Sequence, residues 1–187
     1  EFEDIFKKPH VIITKFLRIA FADFDVVFRH AARGLHGPPE DTSLLVFLAA
    51  YLRSPLGKYL LFHTAASWGN ERDEVHLSEL LRLPFPLPEE LPDTKRAYAI
   101  LRDVTSKVLA ARETSFFGRV ERIAALQDEI RPLIEEYFGI DEHERALIDD
   151  TAKIAIPSAT PRKTTLATIP ALADASERCE PYETLLC

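Results

Sequence analysis

A chain of 187 residues, 47% hydrophobic and 28% charged, can build a sizeable core, and no run approaches the roughly 20 apolar residues that span a bilayer. A net charge of −7 argues against a nonspecific nucleic-acid binder, and the two cysteines, Cys179 and Cys187, fit neither a disulfide framework nor a metal-ligand spacing. The expected setting is reducing and cytoplasmic, with no membrane partner.

The chain begins at Glu1 and contains no methionine, so it reads as a piece of a larger protein. Its charge is unevenly spread. Residues 1–84 hold 10 Lys+Arg against 11 Asp+Glu and five of the six histidines, whereas residues 85–187 hold 13 against 19. The near-neutral front half leaves room for local basic patches, and the back half reads as an acidic, solvated body.

In chain order, HVIITKFL (10–17) and FDVVFR (24–29) are rich in β-branched and aromatic residues and predict strands. RIAFAD between them either extends the first strand or turns. RGLHGPPED (33–41), with two glycines and two prolines, predicts a loop. Asp41 or Thr42 then caps a helix running to about Arg53. Ser54 at a cap position and Pro55 at the first helical position start a second helix over roughly 55–66. Both helices are apolar and are expected to pack on the small sheet.

HTAASWGNERDEV (63–75) follows, carrying the only tryptophan, and HLSELLRL (76–83) predicts a short helix. PFPLPEELP (84–92) has four prolines in nine residues and reads as a stiff connector. Asp93 caps a helix over about 94–114, and a further helical stretch covers about 116–137. Val120, Ile123, Leu126, Ile130, Leu133 and Ile134 form an apolar stripe along it. Phe116, Phe117 and Gly118 mark the break, so this region is either an antiparallel pair or one long bent helix. In FGIDEHERALIDD (138–150), Gly139 ends one helix while Asp141 and Glu144 make a capping box for the next. Beyond Ile156 the periodicity dissolves.

The predicted class is therefore α+β, a small β-sheet packed by apolar helices and followed by a helical segment. The expected divisions are 1–92, 93–156 and an extended tail or linker over 157–187.

Motifs for catalysis are missing. There is no glycine-rich phosphate cradle, GxSxG elbow, HExxH or CxxC. Glu135-Glu136 and Asp149-Asp150 are adjacent on helices and point apart. Capping explains Asp141 and Glu144 without a metal, and His63 and His76 lack a nucleophile or orienting carboxylate at a defined spacing. No catalytic residue and no metal ligand is assigned.

The tryptophan stretch is different in kind. Ser67, Trp68, Gly69, Asn70, Glu71 and Arg72 combine an aromatic plane, a permissive backbone point, an amide and a guanidinium, the groups that read base edges and phosphates. The plainer alternative buries Trp68 beneath the helices while Glu71 and Arg72 pair locally.

PHVIITK, FADFDVVFR and LLVFLAAYLRSPLGKYLLFHTAASWGNERDEVHLSELLRLPFPLP together resemble the target-recognition region of bacterial adenine-specific DNA methyltransferases. These are the type I and type IIG restriction-modification enzymes and related phage-defence enzymes. The resemblance spans about residues 9–150, with SWGxER and PFPLP as its motif words. It implies a non-catalytic module that confers sequence specificity on a parent enzyme. Double-stranded DNA is one implied partner. The other is a catalytic methyltransferase domain, in the same chain or in a partner subunit.

Such enzymes bind S-adenosylmethionine through a glycine-rich loop and position adenine with an NPPY-type motif. Neither is present here, so no cofactor is expected on this chain and S-adenosylmethionine is implied for the parent. The resemblance assigns DNA contacts to Lys15, Arg18, Arg29 and Arg33 from the strand edges and loop. It adds Ser67, Asn70 and Arg72 from the tryptophan stretch. Trp68 and Gly69 would shape that stretch, with the indole against Tyr59 or Phe62. The alternative function is a protein-interaction or dimerisation module using the apolar stripe of residues 120–134.

Overall fold

The computed structural model describes residues 6–29, 31–66, 68, 74–112 and 118–159. The strand periodicity of HVIIT is realised in β1 (His10–Thr14), where Val11 and Ile13 are buried on one face. β1 is the centre of a three-stranded antiparallel sheet of order β2-β1-β3, with β2 at Ile19–Ala22 and β3 at Ala32–His36. Ile13 lies opposite Ile19, and Val11 opposite Leu35. The apolar face thus runs from β2 across β1 to Leu35 of β3, where Arg33 lies opposite Ile13.

Two expectations for this region are corrected. Residues 24–29 do not form a strand. Both edges of β1 are taken by β2 and β3, and this segment places only Val26 N–H on a neighbouring backbone, the carbonyl of Phe6. Phe24 is 57% exposed, whereas Val26 and Phe28 are half-buried and Phe28 packs edge-on against Phe6 and His10, so the alternating residues are covered only in part. Conversely, the glycine-bearing ARGLH is no loop but β3, held by backbone pairing to β1. The first strand also stops at Thr14, and RIAFAD supplies β2 after a turn.

α1 (Thr42–Arg53) lies against β1 and β2, and α2 (Pro55–Thr64) follows after the single break at Ser54. Ser54 Oγ accepts the Gly57 N–H at 3.1 Å with Pro55 in the first turn, the predicted start signal. Neither Asp41 nor Thr42 caps α1 through its side chain. A 3-10 turn at Pro39–Asp41 leads in instead, and the Thr42 hydroxyl donates to the Pro39 carbonyl at 2.6 Å. The helix predicted over 76–83 is one turn, α3 (Leu77–Leu80).

The proline connector contains a 3-10 turn at Pro88–Glu90 and leads to α4 (Thr94–Arg112), where Asp93 Oδ1 accepts the Arg96 N–H at 2.9 Å. α5 (Arg119–Phe138) packs antiparallel to α4. Arg96 pairs with Glu136 and Lys107 with Glu129, so the start of one helix meets the end of the other. Gly139 ends α5 in the left-handed conformation (φ 67°), and Asp141 and Glu144 form the predicted capping box of α6 (Glu142–Asp150). A π-helical turn at Thr151–Ala155 carries the chain into α7 (Ile156–Ala159).

Leu126, Ile130 and Ile134 of the α5 stripe are buried, Ile123 and Leu133 half-buried, and Val120 exposed. The core joins sheet, α1, α4 and α5 in one cluster. At its centre Phe47 of α1 lies 4.5 Å from Tyr137, and Tyr51 stacks on Phe138 at 4.5 Å. The Tyr137 hydroxyl donates to the Pro86 carbonyl at 2.7 Å, which fixes the connector to the end of α5. No single described helix is long and apolar enough to cross a membrane. α1 with its lead-in and α2 pass that test only together, across a 66° bend, and most of α1 is buried in the core.

Candidate nucleic-acid interface

The turn from β1 to β2 is built by Thr14. Its backbone N–H donates to the Arg18 carbonyl at 2.9 Å, its carbonyl accepts the Leu17 N–H at 2.9 Å, and its hydroxyl oxygen accepts the Arg18 N–H at 3.1 Å. Leu17 takes a positive φ of 56°, which is uncommon for a residue with a branched side chain. Its side chain packs on the core, while Phe16 and Arg18 face solvent. Beyond Thr14 the Lys15 N–H donates to the Ala31 carbonyl and the Ala32 N–H to the Arg29 carbonyl. The Arg29 turn therefore sits at the same end of the sheet as the hairpin tip.

The tryptophan stretch is tied to this end. Val75 N–H donates to the Lys15 carbonyl at 2.9 Å, and the Val75 carbonyl accepts Arg33 Nη1 at 2.9 Å. Lys15 Nζ reaches Glu74 Oε1 at 2.7 Å. Glu79, a buried carboxylate on α3, closes the stretch. Its Oε1 accepts the Ala66 N–H and its Oε2 the His76 N–H, both at 2.7 Å. Burial pushes the Glu79 carboxyl up, but the two backbone donors outweigh it, and the neighbouring charges of His76 and Arg82 add to them, holding it below the usual glutamate value. Trp68 is half-buried and packs against the core, as does Tyr59.

The expected DNA-contacting residues thus divide into three groups. Arg18 and Arg29 are exposed and take no carboxylate partner among the described residues. Lys15 and Arg33 reach the same end of the sheet but use their charged groups to hold Glu74 and Val75. Ser67, Asn70 and Arg72 lie outside the described residues, as does Gly69. Sequence reasoning missed Glu79. The available signal was a glutamate three residues after the start of HLSE, but histidine at the cap position is not a usual partner in a capping box.

Other features bear on catalysis. Gly57 fits its helix against α1, since an added Cβ would lie 2.5 Å from the Tyr51 carbonyl oxygen. Gly139 serves to end α5. A cavity of about 530 Å³ between β2, α1, α4 and α5 is mostly apolar, and its Arg53 donates to the Ile19 carbonyl at 3.1 Å. A second, of about 770 Å³ beside the proline connector, has its charged wall residues engaged, Arg96 with Glu136 and Asp93 in capping. Among the described residues no group of three or more His, Cys, Asp or Glu is arranged to hold a metal ion.

Comparison with protein-family models found no match to this chain, and neither curated proteins nor solved structures gave one.

Proposed function

We propose that this chain is a DNA target-recognition module that confers sequence specificity on an adenine-specific DNA methyltransferase. The observation that carries the reading is the convergence at one end of the sheet. The hairpin tip with Arg18, the turn with Arg29 and the Glu74–Val75 end of the tryptophan stretch meet there through backbone hydrogen bonds and the Arg33–Val75 contact. Arg18 and Arg29, without a carboxylate partner among the described residues, meet phosphates and fix register, while Asn70, Arg72 and Ser67 read bases. Lys15 and Arg33 act as positioning residues. Adenine as the methylated base, and a catalytic domain that binds S-adenosylmethionine, are supported by the resemblance in residues 9–150.

The test uses the full-length gene product in its host. Sequencing of host DNA should show methylated adenines in a defined motif only when the gene is present. Arg18→Ala with Arg29→Ala should lower methylation at all sites alike. Asn70→Ala or Arg72→Ala should alter which sequence is modified, with discrimination changed by about 1–3 kcal/mol per lost base contact. A gene product that neither methylates DNA nor binds duplex would overturn the reading.

A further inference from the structure

The hairpin tip carries an aromatic ring that its surroundings hold out of the core. Phe16 is 54% exposed, although the partly apolar underside of the tip is within reach of its neighbour Leu17, which packs inward. The arrangement depends on the left-handed backbone at Leu17, a conformation that costs a branched residue free energy. Isolated exposed apolar residues are common on protein surfaces, but this one is held in place. Lys15 Nζ lies 5.1 Å from the centre of the Phe16 ring, and Glu74 fixes that ammonium group from the other side. An exposed aromatic thus stands at the tip of the β1–β2 hairpin, beside the Lys15 ammonium group.

The width of a B-DNA major groove admits a two-stranded ribbon, and within it the thymine 5-methyl is the one apolar group that a ring can recognise. We infer that Phe16 is a specificity-determining residue that enters the major groove and packs on a thymine methyl within the target sequence. This inference rests on the proposed DNA-recognition function. It fits an adenine-methylating parent, because every methylated adenine in duplex DNA is paired with thymine. It also gives Lys15 a role compatible with its engagement by Glu74, since the ammonium holds the ring and need not reach a phosphate.

The experiment measures binding of the full-length gene product to short duplexes bearing the motif it methylates. Each thymine is replaced in turn by uracil, which lacks only the methyl group. The wild-type protein should lose about fourfold in affinity at one or two thymines, the equivalent of the ~0.8 kcal/mol of one buried methyl group. Phe16→Ala should bind the thymine duplex at least fourfold more weakly and show no further loss at those positions. Phe16→Leu should retain part of the sensitivity. Unchanged circular dichroism and thermal midpoint check the fold of both variants. If wild type binds its duplex without any thymine-to-uracil loss, or if Phe16→Ala keeps the full loss at the same positions, the role of Phe16 is overturned while DNA recognition stands. If the wild-type protein binds no duplex, DNA recognition itself fails.

Discussion

Glu79 shows how one carboxylate organises a segment of chain. It is buried, and its two oxygens serve backbone donors on either side of the tryptophan. Since its folded pKa lies below its ordinary value of 4.5, its stabilising effect is complete above that value. The effect is lost as the pH falls through the lower, folded value. Trp68, the only tryptophan, reports on the clamp directly. Its emission should change in an acid transition below about pH 4.5 that Glu79→Ala abolishes. The same variant should lower stability at pH 7 by about 1.5–3 kcal/mol, the range for a hydrogen bond to a charged group. A variant with wild-type stability and the same acid transition would show that the clamp is idle. The sequence offered Lys15, Arg18, Arg29 and Arg33 alike as DNA-contacting cations. It did not indicate that Lys15 and Arg33 would turn toward Glu74 and Val75, which depends on contacts between residues 42 and 59 positions apart.

Among the elements, the helices were legible because each carries its own start or stop. Ser54-Pro55, Asp93, Gly139 and the Asp141–Glu144 box act within one turn of the chain, and all are found where local chemistry places them. The sheet was less legible. FDVVFR has strand composition, but the pairing edges of β1 were already filled, and ARGLH became a strand through backbone bonds that its side chains do not advertise. Gly57 illustrates a packing constraint of the same non-local kind. A Cβ there would meet the Tyr51 carbonyl oxygen at 2.5 Å and the Leu52 Cα at 3.0 Å, all backbone of α1. Gly57→Ala should therefore cost about 1–3 kcal/mol by overpacking, despite the better helix propensity of alanine. A lowered midpoint in urea would register it, and an unchanged or raised midpoint would mean that the α1–α2 contact yields readily.

At the scale of the whole molecule, a net charge of −7 coexists with two arginines at one end of the sheet that take no carboxylate partner among the described residues. The acidic excess lies in residues 85–187, and part of it is neutralised internally. Glu135 is held by Arg131 and Arg145, and Asp149 by Arg131 and Lys153. In the proposed function, few phosphates are contacted by the described cations. Replacing Arg18 and Arg29 together by alanine should reduce the slope of log affinity against log salt by about 1.8, at roughly 0.9 per phosphate. A slope unchanged by the double variant would place the phosphate grip elsewhere. The apolar stripe of α5, an alternative docking face by sequence, is largely directed into the core, leaving Val120 as its fully exposed member.

The closure of the tryptophan stretch by a single side chain also bears on how such a chain can diversify. With Ala66 and His76 held by the same carboxylate and Val75 held by Lys15 and Arg33, the entry and exit points are fixed by α3 and the sheet together. Lengthening a closed segment is cheap, about 0.6 kcal/mol for each doubling. A stretch of different length or composition grafted between Trp68 and Glu74 should leave the sheet and helices folded as before.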